Sequence, residues 1–526
     1  MDLNRLVARV ARFVIACAAV LLSVGNAAAQ AGGTLVWGTT QVPRHFNPAV
    51  QSGIATMMPG AQIFASPLRF DEKWNPQPYL AESWSFQDDG KSLLLKLVPN
   101  AKFHDGRPIT SEDVAFSIML AKANHPFQSM LAAVERVDTP DARIAVVRLS
   151  VPHPAILLAM SPPFLPVLPR HIYGDGVDPK NHPRNTNPVG SGAYRFVEYK
   201  TGEHLILEKN PDYFIKGRPH FDRIVFKYFK DPNALALALE RKEVNFSPFW
   251  GELAMLDRLE KTAGLAITPK GGEAIGPINW LAFNTKKKPL DDVRVRKAIA
   301  YALDRDFIVK KLHGGRSQPA YGPIAPTSPF YNPVVEPYKH DLARANKLLD
   351  DAGLKPGAGG TRFGLTVDYI PGAREMHQTI AEYMKAQLKK AGIEVTVRAA
   401  PDFPTWAKRV GGQDFDLSTD SVFNWGDPVI GVHRTFLSAN IRPGVIWSNT
   451  QSYANPKVDT LLAQAGVERD DVKRKAQYWE FQKIVVDEIP IMYLNLLPYY
   501  IVHDKTLKNL PLTIWGATAP IDEMRR

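Results

Sequence analysis

Apolar residues recur at helical spacing over a long segment in the second half of the chain. The residues that share one face of this segment are Val295, Ala298, Ile299, Ala302, Leu303 and Phe307. Asp291 and Asp292 precede the segment as capping residues, and Gly314 follows it. The pattern therefore predicts one amphipathic helix over residues 293–311.

A change in the hydrophobic periodicity after residue 364 predicts a β-α-β unit. Residues 365–369 and 393–397 have strand composition, and residues 374–390 between them have the spacing of an amphipathic helix. Another helix is predicted over residues 339–353, and residues 489–494 form an apolar segment that returns towards the first domain. Strands that alternate with helices in this way favour a parallel sheet and an α/β fold.

Residues 100–118 predict the end of a strand, a tight turn and a capped helix. Residues 104–106 read His-Asp-Gly, which is turn chemistry because Asp tolerates and Gly freely adopts the left-handed conformation. Thr110 and Asp113 have the spacing of a capping box. This local structure alone fits many α/β proteins.

Composition narrows the possible classes of protein. The 526 residues are 45% hydrophobic and 22% charged, which is the composition of a globular chain long enough for two or three cores. The net charge is +11, but the positive residues are scattered and no nucleic-acid-binding motif is present, so we expect no nucleic-acid partner. Cys17 is the only cysteine, which excludes disulfides and cysteine-ligated zinc from the chain that follows it.

The N-terminus has the pattern of a secretory signal peptide. Basic residues precede an uncharged run over residues 13–25, and residues 27–29 offer an Ala-Ala-Ala cleavage site. The apolar run is too short for a permanent membrane anchor. Arg12 lies too close to Cys17 for a lipoprotein signal. We therefore expect residues 1–29 to be removed and the mature protein to be periplasmic without a lipid anchor.

The candidate motifs for catalysis or metal binding lack the spacing and flanking residues that such sites need. The histidines of the Pro-rich region are His125, His153, His171 and His182. They lack the spacing of a metal site, and we expect them to be solvated in loops. The Gly-Ser-Gly at 190–192 matches neither a phosphate loop nor a hydrolase elbow, and Gly192 is expected to let the backbone turn into a strand. We therefore expect no enzyme activity, no metal and no cofactor.

The order of several segments resembles that of the family 5 extracellular solute-binding proteins, the receptors of ABC importers. The segments are 100–118, the Gly-Ser-Gly-Ala-Tyr of 190–194, the Asn-Pro-Asp-Tyr of 210–213 and the strand and helix of 279–305. The resemblance covers nearly all of the chain after residue 29. It implies an α/β fold, a two-lobed type II (cluster C) periplasmic-binding-protein clamshell with a small additional α+β domain.

The resemblance also implies how the chain is divided. Residues 1–29 would be the signal peptide. Lobe I would be discontinuous, with residues 30–65, 187–275 and 486–526. Residues 66–186 would form the small domain II, and residues 276–485 would form lobe III. A monomer would bury a small organic solute between lobes I and III, and an inner-membrane permease and ATPase complex would recognise the closed form.

Residues near the expected cleft are candidates for solute contact. They are Phe46, Asn279, Trp280, Arg374, Trp406, Asn424, Trp425, Asp427 and Tyr493. Aromatic walls with a few amides would suit peptides, opines, oligosaccharides and other glycosides, or aromatic acids alike. Arg374 is a candidate for holding a carboxylate or a phosphate, although it also suits the solvated start of a helix.

One departure from the family pattern bears on the solute. Peptide-binding members carry a W-x-x-D segment whose Asp receives the peptide ammonium, and the corresponding positions here are Ser421 and Asn424. Burying an ammonium without a carboxylate is costly, so the substitution counts against free peptides. On this interpretation, replacing Asn424 by Asp should improve affinity for peptides with a free amino group.

Two other classes of function remain as alternatives. A secreted hydrolase would need a nucleophile and a base, or metal ligands, that converge in the cleft. A periplasmic holdase on the same fold would keep an empty, open cleft with affinity for unfolded chains. Turnover of candidate substrates would identify the first, and binding of unfolded chains would identify the second.

Overall fold

The computed structural model describes residues 32–335, 338–371 and 374–526, except for the side chains of residues 374 and 375. The predicted signal peptide, residues 1–29, therefore lies outside the described residues. The strands in chain order are β1 Thr34–Thr39, β2 Leu68–Phe70, β3 Pro76–Pro78, β4 Ala81–Gln87, β5 Ser92–Leu97, β6 Val134–Asp141, β7 Ile144–Leu149, β8 Tyr194–Lys200, β9 His204–Lys209, β10 Arg223–Tyr228, β11 Phe246–Trp250, β12 Leu265–Thr268, β13 Pro277–Phe283, β14 Gln318–Pro319, β15 Phe363–Tyr369, β16 Ile393–Arg398, β17 Leu417–Phe423, β18 Ile491–Leu496 and β19 Tyr500–Asp504.

The helices surround these strands. In chain order they are α1 Ile54–Ile63, α2 Ser111–Asn124, α3 Ile156–Ala159, α4 Arg170–Tyr173, α5 Pro232–Glu240, α6 Leu253–Glu260, α7 Val293–Ala302, α8 Arg305–Phe307, α9 Leu342–Asp351, α10 Thr379–Lys389, α11 Phe403–Gly411, α12 Pro428–Gly431, α13 His433–Phe436, α14 Pro456–Val467 and α15 Asp471–Glu488. Short π-helical turns precede α10 and follow α8. In the part of the chain that the structure describes, no helix is both long and apolar enough to cross a membrane.

The first large sheet has seven strands in the order β12-β19-β11-β1-β10-β9-β8. Strand β1 runs parallel to β10 and β11, and the other pairs are antiparallel. Trp37 on β1 is fully buried, stacked on Phe226 at a ring-centroid distance of 4.5 Å. A large aromatic residue on the central strand thus anchors the core of this sheet.

The second large sheet has six strands in the order β14-β18-β13-β17-β15-β16. Strand β15 runs parallel to both β16 and β17, which confirms the predicted β-α-β unit with α10 as its crossover helix. Alternate residues of β13 pack into different cores. Leu281 lies in the core that contains α7 and α10, and Trp280 lies in the core that contains α14 and α15. The sheet is therefore buried on both faces, as expected for an α/β arrangement.

Two small sheets lie within residues 66–186. Strands β4, β5, β7 and β6 form an antiparallel sheet against which α2 packs. The predicted capping box is confirmed at the start of α2. The Thr110 backbone N–H donates to Asp113 Oδ2 at 2.9 Å, and the reciprocal bond is also present.

The helix predicted over residues 293–311 is wrong as a single element. Helix α7 ends at Ala302, and Leu303 has an extended backbone (φ −94°, ψ 131°). The Asp304 side chain then accepts a bond from Phe307 N–H and starts the short helix α8. Asp304 is a good N-cap residue, and a cap inside an apolar repeat divides the helix without changing the periodicity.

The histidine prediction is also wrong for most of its members. His125, His153 and His182 are at most 6% exposed. Their ring nitrogens bond to the backbone: His125 and His182 accept from N–H groups two residues later, and His153 bonds the Met130 carbonyl. Local backbone bonds of this kind satisfy an imidazole in a buried turn, which explains why histidine occurs there.

The chain passes between the two large sheets only twice in the described residues. Residues 269–276 lead from β12 in the first sheet to β13 in the second, and residues 497–499 lead from β18 back to β19. The pairing of β18 with β13 places Ile491–Leu496 in the second sheet, whereas the sequence division had assigned it to lobe I. The two sheets therefore meet at a pair of adjacent connecting segments.

Candidate functional site

A cavity of about 270 Å³ lies where the two connecting segments meet. Residues from both large sheets and both connections line it: Pro269, Gly271, Gly272, Glu273, Gly276, Pro277, Gly315, Arg316, Ser317, Gln318, Thr327, Leu496, Leu497, Pro498, Tyr499 and Tyr500. Its volume is close to the lower end of the range for small-molecule sites. We call it the junction cavity.

The first connecting segment owes its path to glycine. Gly271, Gly272 and Gly276 have φ values of 94°, 95° and 50°, a region that side chains with a Cβ rarely adopt. The Gly272 N–H donates to the Thr513 carbonyl at 3.0 Å, which fixes the segment against the C-terminal part of the chain. These turns place Glu273 in the wall of the junction cavity.

Contacts across the junction hold the two sheets close together. The Arg316 guanidinium bonds Asp257 and Glu260 on α6, with 2.7 Å to Glu260, and together these acids raise the pKa of Arg316. Thr327 Oγ1 donates to the Glu273 carbonyl at 2.9 Å. The part of the chain around residue 316 is thereby tied to α6 and to the first connecting segment.

A row of polar side chains crosses the second sheet at the carboxyl ends of its parallel strands. Ser421 Oγ donates to Asn279 Oδ1 at 2.6 Å, and Asn279 Nδ2 donates to Asn495 Oδ1 at 3.2 Å. His377 Nε2 lies 3.3 Å from Ser421 Oγ. All but Ser421 are at most 2% exposed, and we call these four residues the polar row. Of the predicted site residues, only Asn279 belongs to it.

The polar row and its surroundings carry no ionised histidine at neutral pH. Burial is the main cause that lowers the pKa of His377 to about 3, and burial also lowers the pKa of His313 to about 4. His313 Nδ1 bonds Ser317 Oγ at 2.9 Å, and Ser317 lines the junction cavity. His377 Nδ1 and His313 Nε2 are buried without a partner. Neutral groups with free bonding capacity therefore lie next to the junction.

Trp280 and Tyr493 lie on the opposite face of the second sheet. They pair in register with each other, and Trp280 also pairs with Asp420. Both aromatic residues are 2% exposed, and Tyr493 Oη has no hydrogen-bond partner among the described residues. These two candidates thus face the helices α14 and α15 and not the junction cavity.

Three aromatic candidates pack into cores. Phe46 is fully buried with its ring edge-on to Tyr199 at 4.8 Å, and Trp406 is fully buried against Trp447 at 6.1 Å. Trp425, with φ 51°, packs against Phe127, which follows α2, at 5.5 Å between ring centroids. None of the three lines the junction cavity.

The two polar candidates of the Asn-Trp-Gly-Asp-Pro segment have structural partners. Asn424 Oδ1 accepts from the Ala325 N–H at 2.6 Å, and its Nδ2 donates to the Pro323 carbonyl at 3.0 Å. Asp427 accepts two bonds of 2.8 Å from Arg474, which makes a bidentate ion pair with side chains 3% exposed. Arg374 begins a π-helical turn, and its side chain lies outside the described part of the chain.

The junction cavity itself was missed by reasoning from sequence. Glu273, Arg316 and Tyr499 were not candidates, because no motif surrounds them. The one available signal was the Gly-Gly-Glu sequence of residues 271–273 beside the predicted domain crossing. Among the described residues, no group of three or more His, Cys, Asp or Glu side chains is placed to hold a metal ion.

Two large sheets joined by two adjacent crossings, with a cavity at the junction, are the architecture of a type II periplasmic binding protein. Residues 75–444 match the model of the bacterial extracellular solute-binding proteins, family 5, middle region. The chain belongs to this family.

Known relatives cover almost the whole chain. The oligopeptide-binding protein AppA of Bacillus subtilis is 27% identical over 486 residues, 88% of this chain and 86% of that protein. The heme-binding protein A of Haemophilus influenzae is 27% identical over 497 residues, 88% of this chain and 87% of that protein. The solved structure of the ABC transporter substrate-binding protein CtaP of Listeria monocytogenes superposes with a TM-score of 0.80 at 26% identity, over 93% of this chain and 98% of that one.

Proposed function

We propose that this protein is the periplasmic substrate-binding component of an ABC importer, which holds a small organic solute between its two large sheets. The observation that carries the proposal is the junction cavity, which both sheets and both connections line in a chain of this family. The solute is delivered to a membrane permease driven by an ATPase. The protein acts as a monomer, freed from its signal peptide and without a lipid anchor.

The physical basis of the signal is differential affinity. A solute that contacts both sheets binds the closed form more tightly than the open form and shifts the population towards it. The Arg316 bridge to α6 and the Thr327 bond to residue 273 are contacts that the closed form makes across the junction. The permease recognises the closed form of the protein. Transport therefore requires no chemical change of the solute by this protein.

The chemistry of the site favours a peptide-like solute or a similar polar organic molecule. AppA is an oligopeptide-binding protein, and its solved structure, with a TM-score of 0.78 to this chain at 25% identity, contains a nonapeptide. The polar row offers neutral amide, hydroxyl and imidazole groups, which suit the amide bonds of such molecules. An opine, an oligosaccharide or an aromatic acid uses the same groups and is the alternative solute class.

Tryptophan fluorescence tests the proposal, because the chain has ten tryptophans. The mature protein is titrated with trialanine and with a panel of opines, oligosaccharides and aromatic acids. We expect at least one to change the fluorescence saturably and to reduce the radius of gyration measured by X-ray scattering. Chromatography of the incubated mixture should recover that compound unaltered.

Single-residue variants test where the active compound binds. Ser421→Ala removes the hydroxyl that donates to Asn279, and we expect weaker binding of the active compound. Ser83→Ala is the control, since Ser83 is exposed on β4. Conversion of the compound into a product would support a hydrolase, and binding of unfolded chains without any small solute would support a holdase. Either result would refute the proposed function.

A further inference from the structure

Two charged side chains line the junction cavity, and their charges are compensated differently. Arg316 bonds both Asp257 and Glu260, so two carboxylates balance its one positive charge. Glu273 has no such partner. Its Oε1 accepts from the Gly271 N–H at 2.9 Å, and its Oε2 is buried without a hydrogen bond. The wall of the cavity therefore carries an uncompensated negative charge.

A buried carboxylate oxygen without a donor is an unfavourable arrangement for an empty protein. An ionised acid removed from water needs hydrogen bonds or an opposite charge to recover its hydration energy. A cationic donor placed in the cavity would supply both, as a short charge-assisted hydrogen bond. Arg316 is not free to serve, because Asp257 and Glu260 on α6 already bind its guanidinium.

The remaining walls suit the stem of an amine. Tyr499 and Tyr500 line the cavity, and the Tyr499 ring meets Phe249 edge-on at 5.4 Å. Aromatic rings attract cations to their faces and offer a large apolar surface to an alkyl chain.

We propose that the junction cavity binds a protonated amine or a guanidinium group of the solute, with the Glu273 carboxylate as its acceptor. This inference rests on the proposed receptor function and specifies its solute class. The receptor would then select molecules with a cationic end and reject wholly anionic ones. It also replaces Asn424 as the position where the charge of an amino group is met.

Small probes test this without knowledge of the natural solute. Saturation-transfer NMR is recorded on the mature full-length protein with n-propylammonium, n-propylguanidinium, propionate and n-propanol. We expect about fivefold more transfer to the two cations than to propionate. Glu273→Gln should reduce the cation signal about fivefold. Glu203→Gln is the matched control, because Glu203 pairs with Lys200 on the surface, and should leave the signal unchanged.

A charge reversal keeps the test informative if Glu273→Gln folds poorly. Glu273→Lys should transfer the preference from the cations to propionate, with folding checked by circular dichroism. Equal cation signals for wild type and Glu273→Gln, equal signals for propionate and the cations on wild type, or no cation signal on wild type would each overturn the inference. An anionic solute that loads wild type and Glu273→Gln alike would overturn it as well, yet leave the receptor function intact.

Discussion

Asp427 and Arg474 show how a single residue pair decides stability in this chain. Burial favours the neutral acid, but the Arg474 charge and its two hydrogen bonds outweigh burial and lower the pKa of Asp427. The pair joins the start of α12 to α15, which are distant in sequence. Asp427 was a candidate for solute binding because the sequence shows the Asp but not its partner 47 residues later.

Replacing Arg474 by Met should leave a buried carboxylate unpaired and cost about 3–5 kcal/mol of unfolding free energy. Urea unfolding at pH 7 measures this loss. Arg136→Met is the control, because Arg136 pairs with Asp138 on the surface and should change stability by less than about 1 kcal/mol. Because the folded pKa is lowered, the wild-type pair contributes fully above pH 4 and its contribution is lost as pH falls through the folded pKa.

Asp420 gives the opposite dependence on pH. Burial raises its pKa to about 8, and the indole groups of Trp280 and Trp447 and the charge of Arg434 oppose this only in part. Between about pH 4 and 8 the folded state holds a proton that the unfolded chain has released, so stability falls as pH rises. The free energy of unfolding should fall by up to about 1.4 kcal/mol per pH unit, which is about 2.3RT.

Asp420→Asn should remove this slope and be more stable than wild type at pH 8. Thermal unfolding measured from pH 5 to pH 8 tests the expectation. Ser418→Ala alters an unpartnered hydroxyl on the same face of β17 and should keep the wild-type slope. Parallel curves for wild type and Asp420→Asn would show that Asp420 is ionised throughout this range.

Asn424→Asp is now expected to destabilise the protein and not to improve peptide binding. The substitution removes the donor to the Pro323 carbonyl and sets a carboxylate oxygen against it. The cost should be about 1–3 kcal/mol in urea unfolding, with no gain in affinity for trialanine by calorimetry. A tighter trialanine complex of the variant would restore Asn424 to the solute site.

At the scale of elements, Gly192 is required by close packing of two segments. The sequence suggested a turn, but the φ of Gly192 is not positive, and its N–H donates to the Ile63 carbonyl at 2.8 Å at the end of α1. A Cβ at this position would collide with the Gln62 and Ile63 carbonyl groups. The strand β8 therefore begins where the backbone can touch α1 directly.

Gly192→Ala should lower the free energy of unfolding by about 1–3 kcal/mol, the typical cost of overpacking. The measurement is the thermal midpoint of the purified variant. Gly364→Ala on β15 is the matched control, because its Cβ would lie 3.7 Å from the nearest atom at an ordinary φ. Similar midpoints for the two variants would mean that α1 can move away from residue 192.

Secondary-structure elements could be predicted where the sequence signal comes from neighbouring residues. The capping box of Thr110 and Asp113 and the β15-α10-β16 unit depend on neighbouring residues or on periodicity, and both were found. The break at Asp304 was missed because an apolar repeat continues through it. Long-range effects were less accessible. The burial of His125 and the pairing of β18 with β13, in which Met492 lies opposite Leu281, are set by tertiary contacts.

At the scale of the molecule, family membership could be recognised from the order of segments, but the cavity could not. Its wall combines residues from the segments 269–277, 315–318 and 496–500 with residue 327, which are far apart in the chain. No sequence pattern marks residues that meet only after both sheets have formed. The polar row likewise joins side chains from β13, β17, β18 and the turn before α10.

Native mass spectrometry of the mature protein purified from its own host tests the central claim most directly. We predict one small molecule bound per chain, released on unfolding with the same mass before and after prolonged incubation. A chain that always arrives empty, or a bound molecule whose mass changes with time, would contradict a receptor that holds its solute unaltered between two sheets.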